Sequence, residues 1–461
     1  MTTQTCASCT QRDGEPAPLE SGESDVLVAV VGGEVRVPLV GGGETRYINL
    51  DYAASAPALE VVAAHIAEVL PLYASVHRGA GYASQISTAV YENARVVVGD
   101  FVGARPRDTV IFTRNTTDSL NLLASIAPGE TVVLDLEHHA NLLPWIGGAS
   151  GARVLRSAAT LDDTLKLLDA ELAARPAALL AVTGASNVTG EVLPLRRLAT
   201  LAHRRGTRIA VDGAQLVPHR RVDIAALGID YLAFSGHKTY APFGAGVLVG
   251  RSDWLDAGDP YLLGGGAVIS VTLDQTQWRT GPARHEAGSP NVLGVAALAR
   301  ALQELDTLDP IAWTAHENLL RSRLVEGLDA LPGVSTHRIF PDLGDTVGVV
   351  SFSVAGLDSR LVAVVLSAEW GIGVRDGKFC AHPLLERLGV AGSAVRASVG
   401  VGSRQADVDA LLTALAAILT EGPRGEYELE AGHWQVVNDT RPRPDWAPEL
   451  APAAGYYGCA G

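Results

Sequence analysis

The 461 residues contain only three lysines, Lys166, Lys238 and Lys378, so chemistry that needs a primary amine has three candidates. Lys166 sits in Leu161–Leu172, an amphipathic helical pattern whose polar face is solvated. Lys238 closes Ser235-Gly236-His237-Lys238, just after the apolar run Ile229 to Phe234, which reads as a buried strand. The Gly-rich Phe243-Gly244-Ala245-Gly246 follows. A lysine leaving a strand with a hydroxyl and an imidazole just before it suits a Schiff base with pyridoxal phosphate (PLP), Ser235 and His237 donating to the phosphate. A surface lysine in a turn is the plainer alternative.

Further polar residues sit where other apolar runs end. Val110–Phe112 is followed by Thr113-Arg114-Asn115-Thr116-Thr117-Asp118, where a helix opens; free N–H groups and hydroxyls there form an anion cup. Val132–Leu136 leads to Glu137-His138-His139-Ala140-Asn141, and His138 is placed to stack on a flat cofactor. Ala178–Val182 leads to Gly184-Ala185-Ser186-Asn187-Val188, and Arg208–Val211 to Asp212-Gly213-Ala214-Gln215. A carboxylate at Asp212 against a pyridine nitrogen keeps that nitrogen protonated, so the ring can absorb the electron pair released at a substrate Cα. Helix capping is the plainer role for Asp212, and a satisfied loop histidine for His138.

The elements that must position these residues alternate. Helical patterns at about 58–70 and at Thr88–Val102, Thr117–Ser125, Leu161–Ala174 and Leu195–Arg204 are interleaved with the apolar runs and with Gly246–Val249. That order predicts an α/β protein with a mostly parallel sheet covered on both faces. Ligands of such sheets lie beyond the carboxyl ends of the strands. Ahead of this body, Val26–Val31 and Val35–Val40 around Gly32-Gly33-Glu34 predict a β-hairpin. After it, Val292–Leu305 and about 310–331 predict helices leading to a smaller α+β domain with strands Gly348–Val354 and Val395–Val399 and a helix at Ala406–Leu419.

The chain resembles the class V aminotransferase superfamily of fold-type I PLP enzymes, and within it the cysteine desulfurases of the group that includes selenocysteine lyases. The likeness covers about residues 46–420. It rests on Leu50-Asp51-Tyr52-Ala53-Ala54-Ser55, His77-Arg78-Gly79, Thr116-Thr117-Asp118, Glu137-His138-His139-Ala140-Asn141, Ser186-Asn187, Val211-Asp212-Gly213-Ala214-Gln215, Ser235-Gly236-His237-Lys238 and Arg284 through Asn291. The resemblance implies a seven-stranded sheet and a PLP link at Lys238, with Asp212 on the pyridinium and Gln215 on the ring hydroxyl. By it, Thr117, Ser235 and His237 hold the phosphate, with Thr116 and Asn187 also touching cofactor, and His138 stacks on the ring. Ser289 would reach the phosphate of a partner subunit, which implies a homodimer with shared sites. Arg396 would grip the substrate carboxylate, with Asn187, His77 and Arg375 also on the substrate. The implied domains are a leader with hairpin (1–45), a small domain (46–60 and 306–421), a large PLP domain (61–305) and a C-terminal strap (422–461).

Cys380 lies on a glycine-hinged loop beside Arg375, Lys378 and His382, an electropositive setting that favours thiolate; a buried inert cysteine is the alternative. The resemblance puts Cys380 where desulfurases carry the nucleophile that becomes a persulfide, so the implied reaction moves sulfur from L-cysteine to Cys380 and releases L-alanine. Many bacterial members of the group read His-His-Cys here, whereas this chain reads Lys378-Phe379-Cys380. Phe-Cys is similar to the desulfurase domain of molybdenum cofactor sulfurases, which leaves the sulfur-acceptor protein open. A PLP-dependent C–S lyase without a persulfide step, and a non-catalytic relative, are the rival readings.

Bulk composition narrows the class. The net charge is −15, from 36 basic and 51 acidic residues, which argues against nonspecific binding to nucleic acid or anionic membranes. No apolar stretch approaches the ~20 residues of a membrane span. The first residues are Thr, Gln, Asp and Glu where a signal peptide carries basic and apolar blocks, so a cytoplasmic protein is expected. Cys6, Cys9, Cys380 and Cys459 are too few and scattered for a disulfide framework, and no metal site is expected.

Overall fold

The computed structural model describes residues 26–390 and 392–447. Cys6, Cys9, Cys459 and Tyr456-Tyr457 lie outside the described residues. The N-terminal hairpin falls one step later than the apolar runs predict: β1 (Arg36–Pro38) pairs with β2 (Glu44–Arg46). Residues 26–31 find other partners, with the Leu27 and Val28 N–H groups donating to Val401 O and Val31 N–H to Ala58 O. The reversal instead uses Gly42 and Gly43, whose φ of 88° and 78° suit glycine. The chain continues through β3 (Ile48–Asn49), α1 (Glu60–Val69) and α2 (Tyr82–Phe101).

The main sheet contains β4 (Asp108–Thr113), β5 (Thr131–Leu134), β6 (Ala152–Leu155), β7 (Leu179–Thr183), β8 (Arg208–Asp212), β9 (Tyr231–Ser235) and β10 (Gly246–Arg251). Their order is β4-β10-β9-β8-β7-β5-β6, and β10 alone runs antiparallel to its neighbours. This is the mostly parallel seven-stranded sheet that the alternation and the resemblance predict. Only β6 gave no signal, because it is a half-buried edge strand with Arg153 in its middle.

Helices α3 (Thr116–Ile126), α4 (Leu143–Ile146), α5 (Leu161–Ala174), α6 (Leu195–Arg204), α7 (Ile224–Leu227) and α8 (Ser252–Ala257) accompany these strands. Successive strand residues serve two cores, as a sheet covered on both faces requires. Leu180, Val182, Leu232 and Phe234 enter one cluster, whereas Leu179, Ala181, Tyr231 and Ala233 enter the other. Each buried Leu, Val or Phe among them contributes about 1.5–3 kcal/mol over its exposed form.

A second hairpin, β11 (Val268–Val271) and β12 (Thr276–Trp278), precedes α9 (Val292–Asp306) and α10 (Pro310–Asp329). Then come β13 (Val334–Thr336), β14 (Val349–Val354), α11 (Ser359–Trp370), β15 (Ile372–Gly373), β16 (Arg375–Gly377), α12 (His382–Arg387), β17 (Ala394–Ser398) and α13 (Gln405–Glu421). The sheet order is β13-β14-β17-β16, and β15 pairs in parallel with β3. Ile48 and Leu50 share a separate buried cluster with residues of α10, β14, α11, β17 and α13.

The C-terminal segment forms β18 (Tyr427–Glu430) and β19 (His433–Val436) and straps α11. The Trp434 indole N–H donates to Asp358 at 3.0 Å and the Tyr427 hydroxyl to Glu369 at 2.8 Å. Among the described residues no helix is long and apolar enough to cross a membrane.

Candidate active site

A cavity of about 250 Å3 opens beyond the carboxyl ends of the main-sheet strands. Three elements of its wall come from one sheet: Lys238 after β9, Asp212 at the end of β8 and His138 after β5. Burial is the main influence on all three. It pushes Lys238 down to about 8 against the pull of Asp212, raises Asp212 against the Ala214 N–H and Lys238, and pushes His138 down to about 3, helped by Lys238. His138 is therefore neutral at physiological pH. Its Nδ1 accepts the Ala140 N–H at 3.0 Å, so the proton resides on Nε2.

The anion cup forms where β4 hands over to α3. Asn115 caps the helix, its side chain accepting from the Asp118 N–H at 3.0 Å. Thr116 meets the Ser235 hydroxyl through its backbone N–H at 2.7 Å and its own hydroxyl at 2.6 Å. Thr117 and His237 complete this end of the cavity. His237 is pushed down to about 4 by burial, then by Lys238, and lies 3.3 Å from the Ser55 hydroxyl.

At the other end Arg396 is buried. It donates to Asn187 O at 3.0 Å and to Asp51 at 2.9 Å, while its Nε is buried without a partner. Arg375 and Cys380 join it on the wall, with the Phe379 ring 5.3 Å from the Arg396 guanidinium. Cys380 is a thiol, not half of a disulfide.

The cavity therefore brings together Lys238, His138 and Cys380, the residues expected at a phosphate, Thr116, Thr117, Ser235 and His237, and Asn187, Asp212, Gln215, Arg375 and Arg396. It does not include His77 or Ser289. His77 borders a separate hollow, 2.9 Å from Glu92, and Ser289 is exposed. Eight wall residues have no individual site role from the sequence: Ala53, Ala54, Asn115, Ala140, Thr183, Ala185, Ala214 and Phe379. Thr183 carried a signal, being the last residue of a strand whose neighbour ends at Asp212.

The donor set fits PLP. Gln215 donates to Ala53 O at 2.6 Å, which leaves its Oε1 buried, unpartnered and available to a ring hydroxyl. An anion cup, an amine of lowered basicity and a buried carboxylate stand at separate points of the same wall. Among the described residues no cluster of three or more His, Cys, Asp or Glu is arranged to hold a metal ion.

Residues 48–411 match the aminotransferase class-V family, and the chain belongs to it. Within that family it is similar to a cysteine desulfurase of Haloferax volcanii, 36% identical over 405 residues, covering 85% of this chain and 94% of that one. Among solved structures it is similar to the cysteine desulfurase of Thermococcus onnurineus, with a TM-score of 0.74, 34% identity and coverage of 81% and 94%. It is also similar to the cysteine desulfurase CsdA of Escherichia coli in an S-sulfonic acid form, with a TM-score of 0.71, 37% identity and coverage of 81% and 94%. The fold is fold-type I of the PLP-dependent transferases.

Proposed function

We propose that the chain is a PLP-dependent cysteine desulfurase that takes the sulfur of L-cysteine onto Cys380 as a persulfide and releases L-alanine. The observation that carries this reading is that Lys238, Asp212, Arg396 and Cys380 line one cavity.

PLP would be held by Lys238 through its aldehyde, by Asp212 at the ring nitrogen, by Gln215 at the ring hydroxyl, and by Thr116, Thr117, Ser235 and His237 at the phosphate. His138 would lie against the ring. When bound, PLP supplies an electron sink next to the substrate Cα. Arg396 fixes the substrate carboxylate, and its ties to Asn187 O and Asp51 hold the guanidinium still before substrate arrives. Lys238 takes the proton from Cα; a basicity near 8 suits an amine that must both accept and return a proton at neutral pH. Cys380 thiolate attacks the substrate Sγ, forming an S–S bond as the Sγ–Cβ bond breaks. The electron pair is left on Cβ, which takes a proton, and Lys238 returns the proton it took to Cα, completing alanine.

The proposal includes a homodimer in which Ser289 serves the partner's phosphate cup, a cytoplasmic location, and a sulfur-acceptor protein that takes the persulfide onward. It divides the chain into a large PLP domain, 61–305, and a small domain, 46–60 with 306–421. His77 faces its own hollow beside Glu92, so a substrate role for it depends on assembly.

The test is to supply L-cysteine to the PLP-loaded protein, measure alanine and sulfide, and weigh the intact chain for one added sulfur. Substituting Cys380→Ala should abolish both the added mass and alanine release. Pyruvate and ammonia in place of alanine would overturn the reading.

A further inference from the structure

The mechanism leaves one fully buried ionisable group beside the cavity unused, Glu137. It is 0% exposed, immediately precedes His138, and lies by the ends of β7 and β8, where Thr183 and Asp212 are in register. The Asn141 side-chain amide donates to its Oε2 at 2.6 Å, and the Trp145 indole N–H donates to Asn141 Oδ1 at 3.1 Å. Its Oε1 is buried without a hydrogen-bond partner. Among the described residues no arginine, lysine or histidine pairs with it, and the charges that bear on it are those of Asp212 and Asp135. Asp212 is the one acidic residue on the cavity wall.

A buried carboxylate with no counter-ion and two like charges nearby sheds its charge by keeping its proton. We propose that Glu137 is a positioning residue of this site: an un-ionised carboxylic acid that anchors the turn presenting His138, and so leaves Asp212 the single charged carboxylate at that wall. Burial, then Asp212 and Asp135, hold the Glu137 carboxyl well above the usual carboxylate range, against the Asn141 amide and the nearby Thr183 backbone. The anchoring is geometric, because His138 and Asn141 belong to the same short turn and Asn141 reaches back to Glu137. The role toward the cofactor rests on the PLP reading above, whereas the protonation state does not.

Two measurements test it. Infrared difference spectra of the full chain against Glu137→Gln, near neutral pH, should contain the carbonyl stretch of an un-ionised carboxylic acid, shifted in heavy water. This holds with or without PLP and with or without turnover. Absence of that band overturns the proposal.

In PLP-loaded protein, Glu137→Gln should leave the pH titration of the cofactor absorbance unmoved and kcat within about twofold, while Glu137→Ala should lower kcat by about tenfold or more. A titration displaced to lower pH in the Gln variant would reveal a lost negative charge and overturn the idea. So would wild-type turnover in the Ala variant. Failure of the desulfurase reading itself would appear as missing alanine with the acid band still present.

Discussion

The Asn187 side-chain amide donates to the Phe379 carbonyl at 2.8 Å, so the loop after β7 grips the backbone one residue before Cys380. Phe379 and Cys380 take left-handed φ values of 53° and 52°, which cost of order 1 kcal/mol each for residues with a Cβ. The His139 N–H donating to Cys380 O at 2.7 Å is the second tie that holds them there. Substituting Asn187→Ala should therefore slow persulfide formation by about tenfold or more. If the cofactor absorbance fell as far as sulfur transfer, the grip on the loop would not be the cause.

Lys238 should react as a weak base. Burial outweighs the attraction of Asp212 and brings its amine down to about 8. The neutral amine is the nucleophile, so the rate of PLP capture by the cofactor-free chain should rise with pH through about 8 and level off above it. An ordinary lysine would still be climbing at pH 10. Stopped-flow absorbance across pH 6–10 reads this directly, and Lys238→Ala should abolish borohydride-stable labelling.

Asp212 should trade stability for chemistry. Its folded carboxyl is raised by burial, so the cost of its charge appears as pH rises above the usual carboxylate range and is present at pH 7. Asp212→Asn keeps an oxygen for the Ala214 N–H, which now meets Asp212 Oδ1 at 2.9 Å. The cofactor-free variant should therefore melt at the same temperature or higher. Its kcat should fall by about 10²-fold or more, since the ring nitrogen loses its anionic partner. Calorimetry and alanine release report the two effects separately.

Gly246 should not tolerate a methyl group. A Cβ there would lie 2.5 Å from the Asn115 backbone N and Cα, at the cap of α3. Both contacts are backbone, so relief must come from moving the cup itself. Gly246→Ala should weaken retention of PLP by about tenfold or more and lower the melting temperature, for a loss of about 1–3 kcal/mol. Dialysis against phosphate, followed by cofactor absorbance, measures the retention.

Much of this was legible in the sequence because strand ends are marked by changes of residue type. Helices α5 and α6 fall on the residues their apolar spacing gives. Lys238, Asp212, His138 and the Thr116 cup each follow an apolar run closely enough for the sheet to imply their convergence. The small strands escaped notice for a physical reason: β15 and β16 have two and three residues, too short for a period to register. The exposed hairpin β11–β12 carries no buried face to pattern it. Phe379 reached the wall through tertiary ties to Arg396 and Asn187, which local spacing does not encode.

The pairing of β3 with β15 sets an order of events during synthesis. Ile48 lies opposite Ile372, and Asp51 bridges to Ser398. The ribosome releases the first partner long before the second exists, and loop closure over that span is slow. The main sheet can assemble while translation continues, because all its strands fall between Asp108 and Arg251. Leu50 and Asp51, with the arginine that Asp51 steadies, reach their places only when the last third of the chain has emerged. A truncated product should therefore own a finished sheet but no grip on a substrate carboxylate.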